Sequence, residues 1–566
     1  MIIGIDLGTT NSLVSYFSEN GPVIIPNRLG ENLTPSIVSI DEDEQIYVGQ
    51  VAKERKILYP DFTAEVFKRS MGTQKKYKLG KKEFLAEELS SFVIRSLKED
   101  AEEFLGQSIT EAVISVPAYF NDSQRKATVR AGKLAGLKVE RMINEPTAAA
   151  IAYGLHNKKS NTKFLVFDLG GGTFDISVLE VYKNIMEVRA VAGDNFLGGE
   201  DFTDILFNMF LKEKELDENS LDRKTLAHVR KQAELCKLGF SNGKVSLMKC
   251  KINDELIEYE VTLEDYEKSC QLLLSKIRKP IERALGDAAI KVKEIEEIIL
   301  VGGATKLPIV RNFVGKLFGM LPNTHINPDE AVALGASTQG AMKERNEAIR
   351  EIVLTDVCPY TLGTNVSVQR QGNYYESGHF FPIIERNTVI PVSRTERLYT
   401  VYDNQSEIRI EVLQGESRLA KNNLYLGEIV VPVQRKKAGE EAIDVTYTYD
   451  INSILEVEVT VVSTKLKKRI IIQQDGTNMT EEEIEERLAE LKELKILPRD
   501  REENKLLLSR GERLYEESFG EIRQEIDVCM RKFEDILDKQ DKIQIEEAAG
   551  ELKAFFDEIE SIDLLW

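Results

Sequence analysis

One pattern occurs twice in this chain and restricts its fold more than any other: an apolar strand, an Asp at its end, then a Gly/Thr turn. The first copy runs Met1-Ile-Ile-Gly-Ile-Asp6-Leu-Gly8-Thr9-Thr10-Asn11. The second runs Phe164-Leu-Val-Phe-Asp168-Leu-Gly170-Gly171-Gly172-Thr173-Phe174-Asp175. The apolar runs suit buried strands. Glycines let backbone N–H groups come close to phosphate oxygens, and Thr hydroxyls can donate to the same oxygens. An Asp at each strand end can hold a hydrated divalent cation against them. A single Asp-Gly turn mostly just reverses the chain. Two of them, on duplicated strands, predict paired lobes closing over one nucleotide.

A chain of 566 residues is too long for one core, so three or four domains are expected. The formal charge of −20 leaves no global positive field to attract nucleic acid or an anionic membrane. The five cysteines (Cys236, Cys250, Cys270, Cys358, Cys529) are scattered and odd in number, and the four histidines stand apart. That pattern argues against a disulfide frame, a zinc site and a metal enzyme, and it suits a reducing compartment. The opening residues lack a signal-peptide pattern and no apolar run approaches membrane length. A cytoplasmic protein is expected.

Residues 1–350 alternate short apolar runs with helical patterns, as α/β architecture requires. Ala112–Val116, Phe164–Phe167 and Ile298–Leu300 read as buried strands. Pro146-Thr-Ala-Ala-Ala150 opens a helix, and Asn327-Pro328-Asp329-Glu330 leads into another, alanine-rich one. Residues 351–356 form a short apolar run between charged residues, which by pattern alone is a buried strand. Across 357–476 the alternation Ile408/Ile410/Val412, Val445/Tyr447/Tyr449 and Leu455/Val457/Val459/Val461 predicts antiparallel sheet with one wet face. Residues 477–566 read as a helical bundle. Thr480-Glu-Glu-Glu483 fits a capping box, with a stripe of Ile484, Leu488, Leu491 and Leu494 ended by Pro498. Ile522, Ile526, Met530, Phe533 and Ile536 form a second stripe, and Ile545, Leu552, Phe555, Ile559 and Ile562 a third.

Phosphoryl transfer depends on positioning and charge neutralisation more than on covalent chemistry. The two turns offer amides and hydroxyls, and Asp6 and Asp168 are placed to hold water on Mg²⁺. Val301-Gly302-Gly303-Ala304-Thr305-Lys306 is a third phosphate or adenosine element, or only a tight turn. Glu145, just before Pro146, reads equally as an acid favoured at a helix start. From its residue type alone, Lys68 cannot be told from any solvated lysine.

These residues carry a resemblance. IDLGTTNS from Ile5, VPAYFNDSQR from Val116, NEPTAAAIAYG from Asn144 and FDLGGGTFD from Phe167 come in order, followed by LGGEDF from Leu197 and VGGAT from Val301. NPDEAVALGA from Asn327, DNQS at Asp403 and VLQGE at Val412 complete the series. The chain resembles the DnaK, or heat-shock-seventy, chaperone family over most of its length. The resemblance implies an actin/hexokinase-like two-lobed nucleotide domain, an antiparallel β-sandwich that grips extended peptides, and a helical lid. It implies ATP/ADP, Mg²⁺ and K⁺ as ligands. It places Asp6, Gly8, Thr9, Thr10 and Asn11 in the first phosphate loop, and Asp168, Gly170, Gly171, Gly172, Thr173 and Asp175 in the second. Lys68 matches the catalytic lysine, and Glu145 the acid of the Mg²⁺/water network. Gly198 and Gly199 also fall at the nucleotide, while Glu234, Lys237, Ser241, Gly302, Gly303 and Asp329 match the adenosine pocket. Pro117 and Arg125 match a switch relaying nucleotide state. Arg141 and Asp356 match positions used by a J-domain cochaperone, and residues 351–356 become the interdomain linker that docks when ATP is bound.

Some segments depart from the family pattern. The stretch from Lys68 to Glu88 is short, and Leu247–Glu260 is compact, which weighs against use of a nucleotide-exchange factor. At the peptide site Gly378-His379-Phe380-Phe381-Pro382 replaces smaller residues. Phe380 and Phe381 either reshape the pocket or pack beneath it. The lid is short and lacks a C-terminal recognition tail. These traits resemble the specialised HscC-like bacterial branch. The expectation is an ATPase whose hydrolysis switches affinity for unfolded or extended polypeptide. The alternatives are a narrow-client regulatory chaperone, and a small-molecule kinase on the same nucleotide fold.

Overall fold

The computed structural model describes residues 1–566 except 155–161, 183–184, 253–254, 345–352, 370–374, 451–453, 473–498, 500–501, 519 and 564–566. Among the described residues, the Asp-ended strands occupy equivalent places in two sheets. In the first sheet the order is Lys138–Asn144, Glu111–Val116, Ile2–Asp6, Asn11–Ser18, Gly21–Ile25, with Thr34–Pro35 added beside Asn11–Ser18. In the second it is Glu297–Val301, Lys163–Leu169, Phe174–Tyr182, Ile185–Asp194, Val353–Val357, Val389–Ile390. Each Asp strand runs parallel to one neighbour and antiparallel to the strand after its turn. Asp6 faces Leu13, and Asp168 faces Asp175. Ile3, Ile5, Phe164 to Phe167 and Ile298 to Leu300 are buried, as continuous apolar runs require of strands covered on both faces.

The alanine-rich helix Ala331–Lys343 and the helix Glu145–Ala152 pack between the sheets in a shared core containing Ala148, Ala149, Ala336 and Val301. Small side chains permit the close approach. Ser15 Oγ, on a strand of the first sheet, donates to the Ala333 carbonyl at 2.6 Å.

The run Glu351–Asp356 is where two readings of one segment meet. Its described part, Val353–Val357, is a strand lying parallel to Ile185–Glu187 and then antiparallel to Val389–Ile390. A strand was the expectation from pattern, and Val353–Val357 forms one. The resemblance implied an interdomain linker that docks when ATP is bound.

Beyond it, two four-stranded antiparallel sheets share one core. One is ordered Tyr375–Ile384, Leu362–Gln369, Glu407–Gln414, Leu424–Pro432, and the other Val392–Tyr399, Ala442–Tyr449, Leu455–Val461, Lys467–Ile472. The alternating residues Ile408, Ile410, Val412, Val445, Tyr447, Val457, Val459 and Val461 all face that core. Helices Glu502–Glu517, Gly520–Lys539 and Lys542–Asp563 enclose Leu514, Ile526, Phe533 and Phe556. Ile522 sits in a first turn and is exposed, outside the stripe. Phe556, rather than Phe555, is fully buried, because it stands four residues from Leu552 and three from Ile559 on one helical face. The stripe expected from Thr480 to Pro498, the turn at Gln371–Asn373, and Glu351 and Ile352 lie outside the described residues. No described helix is long and apolar enough to cross a membrane.

Candidate active site

The turns after the two Asp strands face each other across a cleft of about 640 Å³. Asp6, Gly8, Thr9, Thr10, Asn11, Lys68, Glu145, Asp168, Gly170, Gly171 and Thr173 line its inner part. Gly199, Glu234, Lys237, Ser241, Gly302, Gly303 and Asp329 line the remainder. Gly172 and Asp175 of the second turn, and Gly198, do not line it. The approach of the turns is close. A Cβ on Gly171 would sit 1.7 Å from Thr10 Oγ1, so only glycine fits there.

Lys68 is not a solvated lysine. It is 3% exposed, and its Nζ donates to Glu145 Oε1 at 2.7 Å, with Glu145 itself 6% exposed. Burying such a pair carries a large desolvation cost, which marks it as more than a surface contact. Glu145 also begins the helix Glu145–Ala152, where the helix dipole favours an acid, so both readings of this residue hold together.

Three more carboxylates crowd the same pair. Burial first, and then the Glu145 carboxylate, pushes Asp6 up to about 7, against the pull of Lys68 and of the Ser115 hydroxyl that donates to it at 2.7 Å. Burial, followed by Glu145, Asp175 and Asp6, holds Asp168 well above the usual carboxylate range. Burial and Glu145 raise Asp175 to about 8, although the Tyr119 amide donates to it at 3.1 Å. Meanwhile Thr9 Oγ1, Thr10 Oγ1 and Asp168 Oδ2 are buried without a hydrogen-bond partner. Buried polar atoms normally have one. Two orphaned hydroxyls beside glycine amides fit phosphate oxygens, and crowded carboxylates fit a cation. Among the described residues no His, Cys, Asp and Glu side chains converge as a direct metal cage. Attachment through water is the form that suits Mg²⁺.

The outer part of the cleft is organised by the helix Arg223–Gly239. Lys237 Nζ pairs with Glu234 Oε2 at 2.7 Å and donates to the Gly199 carbonyl at 3.0 Å, and Thr203 Oγ1 donates to Glu234 at 2.6 Å. Opposite it, Gly302 adopts φ +82°, and Lys306 pairs with Asp329.

The remaining expected residues, Pro117, Arg125, Arg141, Asp356, Phe380 and Phe381, do not line the cleft. Asn144 immediately precedes Glu145. It accepts from Arg125 Nη2 at 2.8 Å and donates to Asp356 Oδ2 at 2.6 Å. Arg125 also donates to the carbonyls of Ala118 and Phe120, just past Pro117. Burial raises Asp356 and lowers Arg141, and Arg141 lies within the electrostatic reach of Asp356 and Asp450. A second bridge runs through Tyr119. Its carbonyl accepts from Tyr360 OH at 2.8 Å, and the two rings lie 4.6 Å apart. Arg386 is held between Asp287 and Glu416. Asn144 was missed from sequence, and its adjacency to Glu145 was the available signal. Phe381 packs against the core shared by the two four-stranded sheets, while Phe380 is half-buried.

Comparison with known proteins matches this arrangement. The model of the family described as Hsp70 protein covers residues 2–563. The chaperone protein DnaK of Thermosipho melanesiensis is 38% identical over 566 residues, spanning 98% of this chain and 92% of the relative. That of Thermotoga maritima is 43% identical over 471 residues, with 81% and 77% covered. That of Mycoplasma mobile is 37% identical over 575 residues, with 99% and 93% covered. The chain belongs to the Hsp70 family. It is an ATP-dependent molecular chaperone and an ATPase, and its clients are unfolded polypeptides.

Proposed function

We propose that ATP hydrolysis in residues 1–350 controls peptide affinity in residues 357–476, with 351–356 as the linker and 477–566 as the lid. The observation that carries this reading is the chain of contacts from cleft to linker. Lys68 holds Glu145, the adjacent Asn144 holds Asp356, and Asp356 lies in a strand shared by both halves. A change in charge at Glu145 therefore reaches the linker through its chain neighbour Asn144 and that residue's hydrogen bond to Asp356.

In this reading the amides and hydroxyls of Gly8–Asn11 and Gly170–Thr173 cradle the phosphates, while Glu234, Lys237, Ser241, Gly302, Gly303 and Asp329 hold the adenosine. Asp6 and Asp168 would hold Mg²⁺ through water, with Glu145 in the same network and K⁺ as a further ligand of the cleft. Mg²⁺, when bound, supplies charge neutralisation to the phosphates. Lys68 donates toward the γ-phosphate and orients the attacking water. Loss of the γ-phosphate removes the partner that keeps Lys68 and Glu145 in place, and the linker strand is free to leave. The two states differ in which contacts the nucleotide makes, as any ligand-driven switch requires. Arg141 and Asp356 form the surface on which a J-domain cochaperone triggers hydrolysis. Phe380 and Phe381 shape the peptide site, and a cytoplasmic setting fits the free thiols.

The test is peptide affinity in ATP and in ADP, for the full chain and for Asn144→Ala. Coupled sites give different affinities in the two nucleotides, and N144A brings them together. Equal affinities in the unmodified chain refute the reading.

A further inference from the structure

Lys68 and Arg69 are neighbours on the short helix Phe67–Ser70, but they point to different tasks. Lys68 lines the cleft and Arg69 does not. Arg69 instead reaches the far side of the second phosphate turn. Its Nε donates to the Gly172 carbonyl at 2.7 Å, and its Nη2 donates to Asp201 Oδ2 at 2.6 Å. Asp201 is no idle acceptor, because the same Oδ2 takes the Gly198 amide at 2.8 Å. The start of the helix Gly199–Glu213 is in turn bonded to the turn itself, Gly199 N to Gly170 O at 2.9 Å and Glu200 N to Gly171 O at 2.8 Å. Gly172 is thereby enclosed. A Cβ there would meet Thr9 Cγ2 at 2.4 Å on one side and Arg69 Nε at 2.9 Å on the other.

The residue before this helix is strained. Val66 has φ 56° and ψ 18°, a left-handed conformation. For a β-branched residue that is a true outlier, and such strain persists only where surrounding contacts enforce it. The side chains just beyond it are both held, Lys68 by Glu145 and Arg69 by Gly172 and Asp201.

We infer that Arg69 is the positioning residue that clasps the first lobe to the second phosphate turn and sets how long nucleotide stays bound, with Val66 strained in opposition. The inference rests on the nucleotide reading of the cleft. Separating the lobes breaks two charge-assisted hydrogen bonds at once and lets Val66 relax. A planar guanidinium reaches a carbonyl and a carboxylate together, which an ammonium cannot do in the same geometry.

The experiment follows release of a fluorescent ADP analogue from the full chain by stopped flow, alongside single-turnover ATP hydrolysis. Removing a hydrogen bond to a charged group predicts release about 10- to 100-fold faster in Arg69→Gln, with Asp201→Asn moving the same way. Arg69→Lys keeps the pair with Asp201, loses the Gly172 contact and falls between. Val66→Gly removes the backbone penalty and slows release about fivefold or more. Hydrolysis in a single turnover changes by a smaller factor than release in each variant. Release from R69Q and D201N at the unmodified rate overturns the clasp, and so does a loss of hydrolysis larger than the gain in release. Release from V66G that is unchanged or faster overturns the opposing strain. Failure of the unmodified chain to bind the analogue would instead refute the nucleotide reading.

Discussion

The two Asp-ended sheets start from one plan and end differently. In the first, the antiparallel run closes at Gly21–Ile25, and the side chains around it serve the cleft: Asp6, Lys68 from a neighbouring segment, and the hydroxyls of Thr9 and Thr10. In the second, the equivalent edge at Ile185–Asp194 is not an end. It accepts Val353–Val357 and, through it, Val389–Ile390 from the part of the chain that builds the two four-stranded sheets. Duplication thus supplied two copies of one phosphate turn. What distinguishes the lobes is what each attaches to the far side of its sheet. Both lobes bring charge to the reaction centre, and the second also offers an edge that a distant segment joins.

The largest expected effect separates these roles at the centre. Lys68→Ala should lower ATP turnover by about a thousandfold, as loss of a group stabilising transition-state charge does, while nucleotide binding survives. Steady-state phosphate release at the unmodified rate would show that the first lobe carries no such weight. Gly171→Ala tests the second turn instead. With Thr10 Oγ1 in the way, ATP affinity should fall about 10- to 100-fold, the range for overpacking a tight contact, as read by equilibrium titration. Were G171A to bind normally and K68A to lose binding, the division of labour would be reversed.

Thr355→Pro addresses the edge. Proline removes a backbone donor and is tolerated poorly in a strand paired on both sides. Thr355 pairs with Glu187 in the second sheet, so basal hydrolysis should stay near that of the unmodified chain while stimulation by an unfolded peptide is lost. Retained stimulation would mean that the ladder is not the route between the halves.

The smallest effect is a dependence on pH. Asp6 and Asp175 are raised to about 7 and about 8, so the folded chain without ligand keeps protons that the unfolded chain has lost above about pH 4. Their contribution to stability is therefore complete below about pH 4 and is lost progressively as pH rises to 7 for Asp6 and 8 for Asp175, by about 1.4 kcal/mol per pH unit for each proton. The melting temperature of the ligand-free protein should fall between pH 6 and 8, less steeply in Asp6→Asn. Stabilisation by Mg·ATP should grow over the same range, because phosphate-bound cation favours the ionised carboxylates. A melting temperature that rises through that window would contradict the buried, protonated carboxylates.

How far the sequence was legible depends on whether a feature is local. The Asp-turn copies, the alternating strands at Ile408 and Leu455, and the helical stripe through Ile526 and Phe533 are all short-range patterns, and the structure carries each of them. Lys68 was not legible by chemistry, because its burial is created by Glu145 and Phe120 arriving from elsewhere in the chain. The roles of Asn144 and Arg69 were missed for the same reason. Each is defined by a partner far along the chain, Asp356 for one and Asp201 for the other. Phe555 and Phe556 could not be told apart, since neighbouring aromatics on one helix differ only by rotation about its axis.

A sheet that takes in a strand from a distant part of the chain has a particular vulnerability. Were Val353–Val357 to leave, as the proposed switch requires, the backbone of Ile185–Glu187 would be left with unanswered amides and carbonyls. Any extended chain nearby, including a sister molecule, can answer them, and such margins seed aggregation in other proteins. In that state the same strand, on returning, would also guard the backbone it had left.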